Sequence, residues 1–201
     1  MYTPKQFKAS DEEVKQFIQK NGFATLVTQR DGQLWATHLP LMLSADQTKL
    51  EGHVSKGNKT WKHFEGDAEV MVVFQGPHTY VSSSWYNHEN VPTWNYLAAH
   101  VYGTIKIIEG EDVVASLTKL TNKYEQHSEH PVRVEDMSAE YMRQHLQALV
   151  CFDISITRIE ASFKLSQNRD AESYQSIIHE LDKRGDQDSI AIAKEMKQKT
   201  W

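Results

Sequence analysis

The sequence predicts an α+β fold dominated by an antiparallel β-barrel, and three observations carry that prediction. Apolar and polar side chains alternate at a two-residue period in successive runs from residue 23 to residue 108, separated by turn-forming clusters. Helical periodicity then takes over until residue 149, and one more alternating run follows at 151–163. The chain closes with two helical stretches. A meander, a helical insertion, a returning strand and a helical tail fit a barrel with helices rather than a doubly wound parallel sheet. With 201 residues the chain has the size of one domain spanning 1–201, its barrel at about 21–164 and its tail at about 170–200.

The elements follow in order. Ser10-Asp11-Glu12-Glu13 has the form of a capping box, and Val14, Phe17 and Ile18 supply the apolar face of a short helix that Asn21-Gly22 ends. Phe23–Thr28 and Leu34–Leu39 flank Arg30-Asp31-Gly32 as a hairpin. Leu41–Leu43, a turn at Ala45-Asp46-Gln47 and Leu50–Val54 continue the meander. Residues 55–64 read as a turn running into a short helix, with Gly66-Asp67 closing it before a strand at Ala68–Phe74. Gly76-Pro77 predicts a further turn, followed by strands at Thr79–Ser82 and Trp94–Ile108. Helices are predicted at Glu111–Tyr124 and at Ala139–Leu149 led by Ser138. A strand follows at Cys151–Phe163, and the tail helices at Ala171–Asp182 and Asp188–Lys199 are broken by Lys183-Arg184-Gly185-Asp186.

Composition narrows the function classes. A net charge of −5 argues against a surface devoted to nucleic acid, where affinity comes largely from neutralising phosphates. The basic cluster at Lys183-Arg184 is offset by Glu180, Asp182, Asp186 and Asp188, so the tail reads as a solvated helical hairpin rather than a recognition helix. No apolar run approaches the ~20 residues of a spanning helix. The opening has no apolar leader segment, which leads us to expect a cytoplasmic protein without membrane attachment. A single cysteine, Cys151, excludes an internal disulfide and multi-cysteine metal sites, and its apolar neighbours make it a buried structural thiol. Of ten histidines, His38, His53, His63, His78, His88 and His100 show no H-x-x-x-H or H-x-H spacing and His127 and His130 lie in a polar loop, so no metal site is expected; a haem contact by one histidine stays open. Asp11, Glu12 and Glu13 fit helix-dipole compensation, and no G-x-S-x-G nucleophile elbow is present.

Two polar constellations remain. The segment GHVSKGNKTW (52–61) gathers a hydroxyl, two ammonium groups, an amide and free helix amides where a strand meets a helix, which suits an anion such as a phosphate. An ordinary solvated turn is the alternative. Residues 164–169, KLSQNR, follow the last strand with an unusual density of hydrogen-bond donors, with Asn168 or Asp170 available to cap the next helix. Between them, residues 78–103 concentrate Tyr80, Trp85, Tyr86, Trp94, Tyr96 and Tyr102. Such rings either pack a corner between strands or cover a flat ligand or a subunit partner.

The segments GHVSKGNKTW, GPHTYVSSSWY, VPTWNYLAAHVYG and FKLSQNR, in this order and at these distances, resemble the PaiB family of FMN-binding-type split-barrel proteins. The resemblance runs over nearly the whole chain, including its opening MYTPKQF and its helical tail. It implies a six-stranded antiparallel split barrel related to pyridoxamine-phosphate oxidase, a homodimer, and FMN held at the dimer interface. It also implies negative regulation of sporulation and degradative-enzyme genes, with a flavin reductase or haem-handling oxidoreductase as the alternative. Carried over position by position, Thr37, His38, Leu39 and Pro40 fall on the strand passing the flavin ring. His53, Ser55, Lys56, Asn58, Lys59 and Trp61 fall at the phosphate end. Lys164, Gln167, Asn168 and Arg169 fall where relatives reach the other subunit's cofactor, and Trp85, Tyr86, Trp94 and Tyr96 line the pocket mouth or interface. The chain lacks the arginine pattern that oxidase relatives use for phosphate, which sets it apart from pyridoxamine-phosphate oxidation.

Overall fold

A computed structural model describes residues 1–66 and 68–199. Its strands are β1 (Phe23–Arg30), β2 (Gln33–Leu43), β3 (Lys49–Ser55), β4 (Glu69–Val81), β5 (Thr93–Ile107) and β6 (Leu149–Lys164). They close into one antiparallel barrel in the order β1-β2-β3-β6-β5-β4. The helices are α1 (Asp11–Lys20), α2 (Glu111–Glu125), α3 (Ala139–Gln147), α4 (Ala171–Arg184) and α5 (Gln187–Gln198). The predicted α+β barrel with a helical insertion and tail is therefore the observed fold.

Two strands run through positions where the sequence predicts interruptions. β2 is continuous across Pro40, which the sequence reading treats as a gap between Leu39 and Leu41. Pro40 faces Phe23, the first residue of β1, and pairing with β3 starts only at Leu41 opposite Gly52. The missing amide hydrogen thus falls where one ladder is ending and the other beginning. β4 is likewise continuous through Gly76-Pro77, and no chain reversal occurs there. Instead the buried face changes phase: Val70, Val72 and Phe74 face inward before it, Thr79 and Val81 after it. The turn predicted at Gly66-Asp67 lies partly outside the described residues.

The chain packs as two compact units, Ile18–Phe74 with Val101–Ile159, and Met1–Phe17 with Gln75–His100 and the stretch from Glu160 onward. In the first, alternating strand residues bury Leu26, Leu41, Leu50, Val72, Phe74, Ile105, Phe152 and Ile154 at 0–1% exposure. Gly52 is required there, because a Cβ would lie 2.5 Å from Leu41 Cδ2.

In the second unit, Ile177, Leu181, Ile192, Ala193 and Met196 of α4 and α5 are buried. The Tyr174 hydroxyl donates to the Met196 carbonyl at 2.8 Å, and the Asn95 amide donates to the Met196 sulfur at 3.5 Å. Gly185 closes α4 at φ 75°, donating to the Leu181 carbonyl, and Asp186 caps α5 by accepting from Ser189 N at 2.9 Å. The predicted capping box forms as well: Glu13 accepts from Ser10 N at 2.8 Å while Ser10 Oγ accepts from Glu13 N at 3.3 Å.

Candidate functional site

In the first unit, β2 divides its predicted site residues between two faces. Thr37 and Leu39 are buried, and the Thr37 hydroxyl meets that of the fully buried Thr60. His38 points outward and stacks on Phe23, ring centres 6.5 Å apart, while Pro40 is half-buried. On β3, His53 is half-buried, and burial lowers its pKa, keeping the imidazole neutral near pH 7.

β3 leads into a turn and a short 3-10 helix, Lys59–His63. Much of the polarity of this turn is turned onto its own backbone. Ser55 Oγ accepts from Gly57 N at 3.2 Å, and Asn58 Oδ1 accepts from Thr60 N at 3.1 Å and from Thr60 Oγ1 at 2.8 Å. The Trp61 indole donates to the Lys56 carbonyl at 3.0 Å. What remains outward is cationic: Lys56 and Lys59 are exposed, and among the described residues neither ammonium group meets a carboxylate. Lys56 and Trp61 also border a cleft of about 640 Å³ whose walls include Ile107, Val113, Leu146 and Leu149. Cys151 lines the same cleft, and burial pushes its thiol up to about 11, so it is a poor nucleophile there.

In the second unit, the aromatic segment does three different things. Trp94 stays 53% exposed, flanked by His78 and Tyr80 at 6.2 and 6.1 Å, beside a cleft of about 230 Å³ that Tyr96 also lines. Trp85 is half-buried beneath the Arg184 guanidinium, 4.6 Å from its ring centre. Tyr86 is buried beneath Arg169 at 4.7 Å.

The connector after β6 is held by its own side chains. Gln167 Oε1 accepts from Leu165 N and its amide donates to the Phe163 carbonyl, both at 2.6 Å, so Gln167 shapes the turn. Ser166 takes a left-handed conformation at φ 61° and its hydroxyl donates to Asn95 Oδ1 at 2.9 Å. Asp170 supplies the cap of α4, accepting from Ser173 N at 2.9 Å. Asn168 is exposed. Lys164 donates to the Thr93 hydroxyl; burial, and then the charge of Arg169, lower its pKa.

Sequence reasoning missed a cluster on the β1–β2 hairpin: His63 Nδ1 lies 2.9 Å from Thr28 Oγ1, and Trp35 meets the His63 ring edge-on at 6.0 Å. The signal available was Leu34-Trp35, an apolar pair at a hairpin end, which is 72% and 50% exposed. Among the described residues no group of three or more His, Cys, Asp or Glu could hold a metal ion, and no helix is long and apolar enough to cross a membrane.

Comparison with known proteins places this geometry in a family. Residues 1–158 match the model described as a putative FMN-binding domain. The protease synthase and sporulation protein PAI 2 of Bacillus subtilis is 41% identical over 202 residues, covering 99% of this chain and 98% of the relative. Among solved structures, a FAD and haem binding protein from Mycobacterium smegmatis superposes with a TM-score of 0.65 at 19% identity, over 86% of this chain and 80% of that one. The flavocytochrome Anf3 of Azotobacter vinelandii gives 0.62 at 16% identity, over 84% and 74%. At those identities the two structures speak to the fold alone. The family match over most of the chain, with the end-to-end similarity to PAI 2, makes this chain a member of the PaiB family of FMN-binding-type split-barrel proteins.

Proposed function

We propose that this protein binds FMN with the cofactor phosphate at the Ser55–Lys59 turn, and acts as a cytoplasmic homodimer in negative control of sporulation and degradative-enzyme genes. The observation that carries the ligand half is the pair of exposed ammonium groups, Lys56 and Lys59, on a turn where Ser55 and Asn58 are bonded internally, with Lys56 bordering a mostly apolar cleft of about 640 Å³ that Glu109 also lines. Those residues fit the group: two cations suit a phosphate dianion, and apolar walls suit a flat heteroaromatic ring. When bound, FMN supplies electron-transfer capacity.

The chain's own residues would do the holding. Lys56 and Lys59 neutralise the phosphate, Asn58 fixes the turn that aims them, and His38 presents an imidazole from the outward face of β2. In the second unit, Asn168 is exposed and Arg169 Nε makes no hydrogen bond among the described residues, so these connector side chains are open to reach a cofactor held by a second copy, whereas Gln167 is used on the backbone.

The regulatory half draws support from the name of the Bacillus relative, which couples protease synthesis with sporulation. The reading is of an indirect effect on transcription. The net charge is −5, and Arg184, one of the two cations of the tail's basic cluster, is turned onto Thr79, Tyr80 and Trp85. FMN titration of purified protein tests the ligand half; absence of binding at micromolar FMN would sink it. A gel shift on promoter DNA whose affinity falls steeply with salt would overturn the indirect reading. Steady-state NAD(P)H oxidation with FMN or haem added separates a binding protein from the oxidoreductase alternative.

A further inference from the structure

We propose that the cleft between the β1–β2 hairpin tip and His63 is a second small-molecule site, which takes an uncharged nucleobase or nucleoside stacked on Trp35. The inference does not rest on the flavin reading.

The cleft has a volume of about 230 Å³ and is lined by Arg30, Asp31, Gln33, Leu34, Trp35 and His63. It shares no lining residue with the cleft of about 640 Å³ beside Lys56, and none of its six residues belongs to the cofactor assignment. Pockets for drug-sized ligands occupy roughly 300–1,000 Å³, so this one has room for a single ring system.

Its apolar part is planar. Trp35 is 50% exposed, and the His63 ring meets it at an interplanar angle of 81°, so the two rings form a corner. A half-exposed indole is a stacking platform for any base, because every base has a π-face. An exposed tryptophan alone is ordinary on a protein surface.

What marks this one is the unspent hydrogen-bonding capacity around it. His63 Nδ1 is paired with Thr28 Oγ1 at 2.9 Å, which leaves Nε2 without a partner among the described residues and open to solvent. The exposed Gln33 amide is also unpaired among the described residues, with an acceptor oxygen and two donors free. Arg30 donates through one Nη to the Lys62 carbonyl at 2.5 Å and keeps further donors, while Asp31 at 3.8 Å balances its charge. Guanidinium and carboxylate side by side cancel in net charge yet set donors next to acceptors. That is the complement of a nucleobase edge, which carries donors and acceptors on a neutral ring, and it offers no net charge to a phosphate.

The frame is rigid. Asp31 and Gly32, at φ 51° and 76°, make the two-residue turn of the hairpin. Arg30 through Lys62, and Thr28 through His63, tie that hairpin to the 3-10 helix, so both sides of the cleft are fixed. A preorganised site of this kind loses little on ordering.

The test is ligand-observed saturation-transfer NMR on the full chain with adenosine, guanosine, cytidine and uridine, each to about 5 mM, and ribose as the ring-free control. We expect saturable binding of at least one nucleoside and none of ribose. Binding is lost in Trp35→Ala and weakened several-fold in Gln33→Ala, an exposed position whose truncation leaves the fold intact. It is unchanged in the Lys56→Ala/Lys59→Ala double variant and in excess FMN. Absence of binding by all four nucleosides, or equal binding in Trp35→Ala, overturns the site. Displacement by FMN, or loss with the two lysines, also overturns it by merging the cleft with the cofactor site. A single-stranded oligonucleotide that binds far more tightly than its nucleosides overturns it in favour of a nucleic-acid surface. Failure of FMN to bind sinks the flavin reading and leaves this site untouched.

Discussion

Arg184 lies over Trp85 with its guanidinium carbon 4.6 Å from the ring centre, and the same group donates to the Tyr80 carbonyl at 2.8 Å and the Thr79 hydroxyl at 2.9 Å. One side chain at the end of α4 therefore ties the helical tail to both ends of the Thr79–Trp85 stretch. Arg184→Ala removes a cation–π contact and the hydrogen bonds to Thr79, Tyr80 and, at 3.5 Å, Ser189, a loss of about 2 kcal/mol. Urea unfolding monitored by tryptophan fluorescence checks it, with the midpoint shifted down and the slope unchanged.

Asn58 and the two lysines on its turn separate stability from binding. Asn58 Oδ1 caps the 3-10 helix, so Asn58→Ala is expected to lower stability by about 1 kcal/mol. Lys56→Ala and Lys59→Ala leave stability nearly unchanged, and each weakens FMN by roughly 1–3 kcal/mol in a fluorescence-quenching titration. Equal FMN affinity in wild type and in both lysine variants would remove the turn from the cofactor site.

Gly76 cannot take a side chain without moving a ring. A Cβ there would lie 2.6 Å from Phe17 Cε2, and Phe17 is itself packed on Phe163 at 5.2 Å between ring centres. Gly76→Ala is therefore expected to cost about 1–3 kcal/mol through overpacking, measured by denaturant unfolding, whereas Gly32→Ala meets open space and tests only the strain of a positive φ.

Glu13 gives the fold an acid-sensitive contact. Burial pushes its carboxyl up, but hydrogen bonds from Lys199 and Ser10 outweigh that and bring it from 4.5 down to about 2. The folded state binds this proton less readily than the unfolded one, so Glu13 contributes stability above about pH 4.5 that fades as the pH falls toward 2. Glu13→Gln should flatten the stability profile across that window, read by Tm against pH, with the wild-type advantage largest above it.

The barrel was legible because each strand carries its own alternation and α1, α3 and α5 have side-chain caps at Ser10, Ser138 and Asp186, although α2 begins after Gly110 without one. Pro40 and Gly76-Pro77 were misread because local turn chemistry competes with ladder position: only the register shows that Pro40 falls where little pairing is lost. At the candidate site, the turn and the connector stood out by their density of donors. Which donors are already used did not, since Asn58 and Gln167 look identical in sequence whether they bind a ligand or their own backbone. The pairing of Arg169 with Tyr86 joins residues 83 positions apart, beyond any local pattern.

The central claim is that the chain is a flavin-binding member of its family. An absorption spectrum of freshly purified protein, followed by titration with FMN, tests it most directly. The account predicts flavin bands in the purified protein or saturable FMN binding at micromolar concentration, weakened in Lys56→Ala and Lys59→Ala. Colourless protein that binds no FMN under those conditions would contradict it.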